Sequence, residues 1–285
     1  MFNDIRNNPT IEDVKKIFGN KDNALDFIRT YYNLSADNCF IKNSSPYYLY
    51  QRILDTWNYD NVKFYTRHIS KQKKYSLEHL KTVSKKYEET KKIIEENYDG
   101  QKQWAFNIMS YENKLTSTIR NNNDFNTGLE KHLNDTKKNY IIKSYTIYRS
   151  FLYEYFLIKH HENLLPTLSN SKSVDFYYNG KNFDLKNASS VTEEFKIEYG
   201  QKWMQEALNN PQRVAKFLYM LQNENRFGYN PRIFIVELEG KLKTITGIER
   251  DCRDLNFGET HKVDFTYKIN GEFEKFTTES LVVFI

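Results

Sequence analysis

Two cysteines in 285 residues, Cys39 and Cys252, stand far apart and form no CxxC pair. Their scarcity argues against a disulfide scaffold or a cysteine zinc site and fits a reducing cytoplasm. No apolar run approaches the roughly eighteen residues needed to cross a bilayer. The opening Met-Phe-Asn-Asp-Ile-Arg-Asn-Asn-Pro has no apolar h-region, so no secretory signal is expected. Walker loops, GxGxxG, G-x-S-x-G and HExxH are missing, which leaves ATP-driven, dinucleotide and serine-hydrolase chemistry without support. His160-His161 is no substitute for a metal motif, because adjacent helical residues point apart and cannot chelate together. No internal repeat marks a solenoid.

What is present is a net charge of +5, with a pI near 8.8. The excess is uneven: residues 61–120 hold thirteen Lys/Arg against seven Asp/Glu. Such a stretch suits a polyanionic partner, and equally a solvated helix face. The first 120 residues read as mostly helical. Thr10 with Asp13 resembles a capping box, Gly19 closes a short helix, and residues 22–33 form a second amphipathic segment. Pro46 suits the start of a helix running to Trp57, while Val62 to His68 is expected as a short strand. Ser76 is expected to cap a helix over 77–97, with Lys81, Lys85, Lys86, Lys91 and Lys92 on one side and a Glu88–Lys92 pair. A break at Asp99-Gly100 and a further helix over 101–119 precede the polar run 121–126, the clearest linker.

Residues 139–162 follow as a helix that is apolar nearly all round, which places it inside the protein. Glu154 lies within that run. A buried carboxylate needs a partner or a cation, and Arg149 or Lys159 would serve structurally. Pro166 is expected to end the helix. Asn179-Gly180 then signals a hairpin, since both central positions of a type I′ turn need positive φ. The register puts Tyr178 against Lys181, Phe176 against Phe183, and Asp175 opposite Asp184. Asp175, Tyr177, Asn182, Asp184 and Lys186 share one face, with Val174, Phe176, Tyr178, Phe183 and Leu185 on the core face. Opposed carboxylates repel unless a divalent cation lies between them. A second Asn-Gly turn at 270–271 sets Asp264 against Thr277, so opposed acids are not a habit of this composition. Helices over 193–209 and 211–224, separated at Asn210-Pro211, lead to an apolar strand over 232–238, and the remainder looks like further strands.

A buried-Glu helix, an acidic hairpin ending Asp184-Leu185-Lys186, further helix and an apolar strand together resemble the αβββαβ core of the PD-(D/E)xK nuclease superfamily, which includes type II restriction endonucleases. The likeness covers residues 139–240. Val174 stands where the family usually has proline, and the second acid is Asp rather than the commoner Glu. The resemblance implies an α/β nuclease core with a mixed central sheet flanked by helices. With the linker as boundary, the expected fold is α+β, a nuclease-like domain (127–285) behind a mainly helical N-terminal domain (1–120). The likeness does not reach that N-terminal domain, which would serve DNA binding or dimerisation. The resemblance further implies that Asp175 and Asp184 ligate Mg²⁺, for which Mn²⁺ can substitute, with the Leu185 carbonyl as a third ligand. Lys186 would position or deprotonate the attacking water, and Glu154 would support water or a second metal. Gln222, Arg226, Arg232, Lys81 and Lys85 are candidates to grip phosphates. The expected function is a cytoplasmic Mg²⁺-dependent endonuclease on double-stranded DNA, acting as a homodimer. The alternative is a non-catalytic nucleic-acid-binding protein with a nuclease-like core.

Overall fold

The computed structural model describes residues 4–32, 43–98, 125–169, 174–221, 230–238, 242–269 and 272–285. It is an α+β protein with a mixed six-stranded sheet and a helical N-terminal region. By its own contacts the chain divides into two compact units. One is Met1–Leu77, Glu154–Gly240 and Asp251–Ile285; the other is Glu78–Tyr153 and Lys241–Arg250. This partition differs from the expected 1–120 and 127–285. The reason is burial: the first helices hide their apolar faces against strands that come after residue 160. The expected break at 99–100 and the helix over 101–119 lie outside the described residues, as does most of the 121–126 linker.

In the first unit, α1 (Ile11–Phe18) opens with the capping box. Thr10 Oγ1 accepts the Asp13 N–H at 3.2 Å, and Asp13 Oδ2 accepts the Thr10 N–H at 3.0 Å. It closes at Gly19, whose φ of 73° a residue with Cβ rarely adopts. Then come α2 (Lys21–Tyr32), α3 (Pro46–Asp55, with Ser45 as cap) and α4 (Tyr59–Gln72). The strand expected over Val62–His68 is corrected to part of α4. Asn58 caps that helix, and the buried Val62, Tyr65, Thr66 and Ile69 recur at helical spacing. The four helices share a core with Ile5, Leu165, Val174 and Tyr177.

The strands are β1 (Leu164–Pro166), β2 (Phe176–Tyr178), β3 (Lys181–Ala188), β4 (Arg232–Val236), β5 (His261–Ile269) and β6 (Glu272–Phe284). Their order is β1-β2-β3-β4-β6-β5. Asn179 (φ 49°) and Gly180 (φ 79°) both take positive φ, and the turn sets Tyr178 against Lys181 and Phe176 against Phe183 as expected. β3, β4 and β6 run parallel, so β4 is interior and buried throughout. The β5–β6 register places Asp264 against Thr277, as expected, although the 270–271 turn itself lies outside the described residues.

Long connections give parallel neighbours their geometry. Between β3 and β4 the chain forms α7 (Glu193–Tyr199), a 3₁₀ turn, α8 (Trp203–Asn209) and α9 (Pro211–Leu221). These helices cover Phe234 and Val236 in a second core with Val263 and Phe265. The hairpin face expected to be the outer one is therefore covered too. Tyr177 is fully buried among the N-terminal helices, and Ala188 packs against the second core. Asp184 and Lys186 sit on that face between them.

Three further expectations are corrected. The helix expected over 139–162 is α6, Phe125–His160. Pro166 belongs to β1, an edge strand where a missing N–H costs no ladder bond. Residues 245–254, expected among strands, form α10 (Ile245–Asp254), which starts where Thr244 Oγ1 accepts the Gly247 N–H at 3.1 Å.

In the second unit, α5 (Leu77–Asn97) meets residues 125–153 of α6 through stacked Tyr87 and Tyr145, whose ring centroids are 5.1 Å apart. Tyr87 also donates its hydroxyl to the Lys243 carbonyl at 2.7 Å. Burying two phenols works here because each hydroxyl has a partner.

Candidate active site

The site is built where β2 gives out. The regular ladder stops at Phe176 and Phe183, one step short of Asp175 and Asp184. Beyond it the Asp175 N–H donates to the Phe183 carbonyl at 2.9 Å, and the Asp175 carbonyl accepts the N–H and hydroxyl of Thr167, each at 3.1 Å. The Asp175 carboxylate turns onto the edge of β3, where Oδ2 accepts the Leu185 N–H at 2.7 Å. The flat cross-strand opposition expected of the two acids is thus modified. Asp175 is held by backbone, and the charge of Asp184 still pushes its carboxyl upward. Because N–H and C=O of one strand residue point the same way, the Leu185 carbonyl faces that same edge.

Asp184 is 3% exposed and doubly paired. Oδ1 accepts from Lys186 Nζ at 2.8 Å, and Oδ2 lies 3.5 Å from Arg232 Nε. Arg232 also lies over the Tyr219 ring of α9, 4.8 Å from its centroid. The parallel register, Asp184 beside Arg232, produces this contact directly.

Glu154 comes from the last turns of α6. Three α6-end carbonyls or their neighbours are tied down by Arg67 of α4, which donates to Ile158, His161 and Leu164 at 2.7–2.9 Å. The expected partners of Glu154, Arg149 and Lys159, are corrected: those cations lie over the rings of Tyr145 and Phe156. Glu154 Oε2 instead takes Lys74 Nζ at 2.6 Å and the Tyr75 hydroxyl at 3.0 Å. Both belong to the turn after α4, fixed by the Tyr75 N–H donating to the Ser70 carbonyl at 2.7 Å.

Electrostatics tie the acids together. Burial raises the Asp175 carboxyl; the Leu185 N–H opposes this and Asp184 adds to it. Burial likewise raises Glu154, with Lys74 opposing and Asp175 adding. Burial, Glu154 and Asp175 keep the Tyr75 phenol well above its ordinary range. Raised pKa values in a cluster are a mark of functional sites, and of strained ion-pair networks. Here three carboxylates gather with Lys74, Lys186 and Arg232.

Among the described residues, no group of three or more His, Cys, Asp or Glu side chains is arranged to hold a metal. Mg²⁺ asks for less, because it keeps several waters and is usually held by one or two carboxylates. Asp175, Asp184 and the Leu185 carbonyl are hard oxygen donors of the kind Mg²⁺ takes, with both Asp184 oxygens here facing Lys186 and Arg232. A cation there would relieve the repulsion felt by Asp175.

The remaining candidates fall out differently. Arg232 is 1% exposed and faces Asp184, an interior ion-pair partner rather than the expected candidate grip for phosphates near the cleft. Gln222 and Arg226 lie outside the described residues. Lys81 and Lys85 are exposed on α5, in the other unit. There Lys85 stands 4.0 Å from Glu89, and Glu88 pairs with Lys91 rather than with Lys92. Lys74 and Tyr75 were not legible as site residues, since nothing local marks a turn that meets a helix some eighty residues later. Comparison of the chain with protein-family models, curated proteins and solved structures finds no match.

Proposed function

We propose that this chain is a Mg²⁺-dependent DNA endonuclease that hydrolyses phosphodiester bonds, most like a type II restriction enzyme, working in the cytoplasm as a homodimer on double-stranded DNA. The observation that carries the reading is the gathering of Asp175, Asp184 and Lys186 at one edge of β3, with Glu154 from the preceding helix electrostatically joined to them. The element order supports it: helix, three antiparallel strands, helices, then a strand parallel to β3. That is the αβββαβ order of the nuclease core to which the sequence bears a resemblance.

Bound by Asp175, Asp184 and the Leu185 carbonyl, Mg²⁺ would supply a Lewis acid for the phosphoryl oxygens. The protein's own groups do the rest. Arg232 and Tyr219 hold Asp184 in one orientation. Lys186, with 30% of its side chain exposed, presents an ammonium beside the acids to orient water and offset charge developing on the phosphate. Glu154, clamped through Oε2, leaves Oε1 to accept a hydrogen bond from that water. The test is incubation of mixed plasmid and phage DNA with the protein and Mg²⁺, then with EDTA. Nicking or linearisation that EDTA stops is expected. Tight DNA binding with no metal-dependent cleavage would overturn the nuclease reading in favour of a non-catalytic binder.

A further inference from the structure

Each of two acids in the cluster carries a lysine at its solvent side. Lys186 sits on Asp184 at 2.8 Å with 30% of its side chain exposed, and Lys74 sits on Glu154 at 2.6 Å with 43% exposed. Arg232, the third cation, is sealed inside. Lys186 belongs to β3, the strand that bears Asp184; Lys74 comes from the N-terminal helical segment, outside the 139–240 stretch that suggested a nuclease.

The turn that delivers Lys74 is firmly built. Lys73 N–H donates to the Ile69 carbonyl at 3.0 Å, and Lys73 Nζ reaches Asn23 Oδ1 at 2.9 Å. Tyr75, 3% exposed, is the buried anchor, and the Lys74 ammonium lies 5.1 Å from its ring centroid. A plain structural ion pair would explain Lys74 if Glu154 had no other donor. Tyr75 donates to the same oxygen, so Glu154 keeps a hydrogen-bond donor without Lys74, which adds the countercharge. An ammonium has three donor hydrogens, and Glu154 Oε2 accepts one. The field of Lys74 also reaches Asp175, as does that of Lys186.

We propose that Lys74 is a substrate-binding residue of this site, its ammonium contacting a phosphodiester drawn to the acid cluster, with Tyr75 as the positioning residue that holds it there. The proposal rests on the nuclease reading and extends it: the N-terminal segment completes the site rather than serving only as a separate binding domain. Lys74 and Lys186 then form two cationic contacts and, with Arg232 behind Asp184, set three cations against the three carboxylates, so an anionic phosphate can approach without net repulsion.

The test uses the full chain with Lys74→Gln, Lys74→Arg and Tyr75→Phe. Gln keeps a donor toward Glu154 but removes the charge, which guards against a misfolded Ala variant; far-UV circular dichroism checks each fold. In EDTA, the affinity for a 30-bp duplex is measured by fluorescence anisotropy across a salt series. Lys74→Gln is expected to lower the slope of log K against log salt by about one, the signature of one lost phosphate contact, and Lys74→Arg to leave it unchanged. In Mg²⁺, single-turnover cleavage by Lys74→Gln is expected to fall by about 100-fold, with Lys74→Arg recovering most of it. Tyr75→Phe is expected to lower the rate with the salt slope intact. An unchanged salt slope in Lys74→Gln overturns the proposal, whatever the cleavage result. Failure of the nuclease reading is separate: wild-type protein would bind DNA with a Lys74-dependent slope and not cut.

Discussion

Arg232→Met is the most informative single perturbation of the site, because the sequence offers the position as a candidate phosphate contact and the structure makes it an interior cation. Arg232 and Asp184 expose 1% and 5% of their side chains and lie 3.5 Å apart. Removing one member of a buried ion pair costs about 3–5 kcal/mol, chiefly through the charge left behind. Lys186 stays on Asp184 Oδ1 at 2.8 Å, which puts the expectation at the low end, about 3 kcal/mol. Loss of the cation over Tyr219 adds roughly 0.5–1 kcal/mol. Methionine refills much of the volume, so little cavity cost is added. Asp184→Asn alone should likewise cost about 3 kcal/mol, since it leaves the Arg232 charge facing an amide. The double variant should fall short of the sum by about 2–3 kcal/mol. The assay is urea unfolding of all four proteins at pH 7 in EDTA, followed by tryptophan fluorescence and circular dichroism. A destabilisation of Arg232→Met below about 0.5 kcal/mol, the range of ordinary surface changes, would refute the reasoning.

Asp175→Asn should stabilise the metal-free protein at neutral pH. A carboxyl whose folded pKa is raised binds more protons folded than unfolded, so stability falls as pH climbs through the ordinary carboxylate range toward the folded pKa. The gain from Asn, about 1 kcal/mol by analogy with other functional-site trade-offs, should therefore shrink as pH is lowered toward 4 in a series of thermal melts. Mg²⁺ should raise the melting temperature of the wild type and not of Asp175→Asn; equal shifts would remove Asp175 from the metal set. Arg67→Ala, which strips the donors from three carbonyls around the end of α6, should cost about 2–4 kcal/mol in the same unfolding assay. A cost under about 0.5 kcal/mol would show that water replaces the guanidinium freely.

How much of this was legible depended on range. The hairpin was legible because Asn179-Gly180 is a local signal with a backbone cause, and φ is positive at both residues. The same holds for the capping box at Thr10 and the Asp264–Thr277 register. Val62–His68 misled because its β-branched and aromatic residues favour a strand locally, while Asn58 and the spacing of Val62, Tyr65, Thr66 and Ile69 already carried the helical pattern. The last ladder step at Asp175 was beyond a register argument. A strand end is free to leave the ladder when its carboxylate finds a backbone N–H, here that of Leu185. The contacts that came from afar, Glu154 with Lys74 and Tyr75, left no local trace. Arg232 was marked as notable by sitting at a strand entrance. The Tyr219 ring that α9 brings over it is a contact that spacing alone does not reveal.

The central claim is that Asp175, Asp184 and Lys186 form a metal-dependent cleavage site, and the most direct measurement is single-turnover cleavage of plasmid DNA in Mg²⁺ by wild type, Asp184→Asn and Lys186→Ala, with DNA affinity measured in parallel. Wild-type cleavage is expected to require Mg²⁺. Asp184→Asn is expected to lose at least about a thousandfold in rate, roughly 4 kcal/mol, while its DNA affinity stays within a few-fold. Lys186→Ala is expected to lose rate more than metal affinity. Cleavage by Asp184→Asn at the wild-type rate would contradict the assignment.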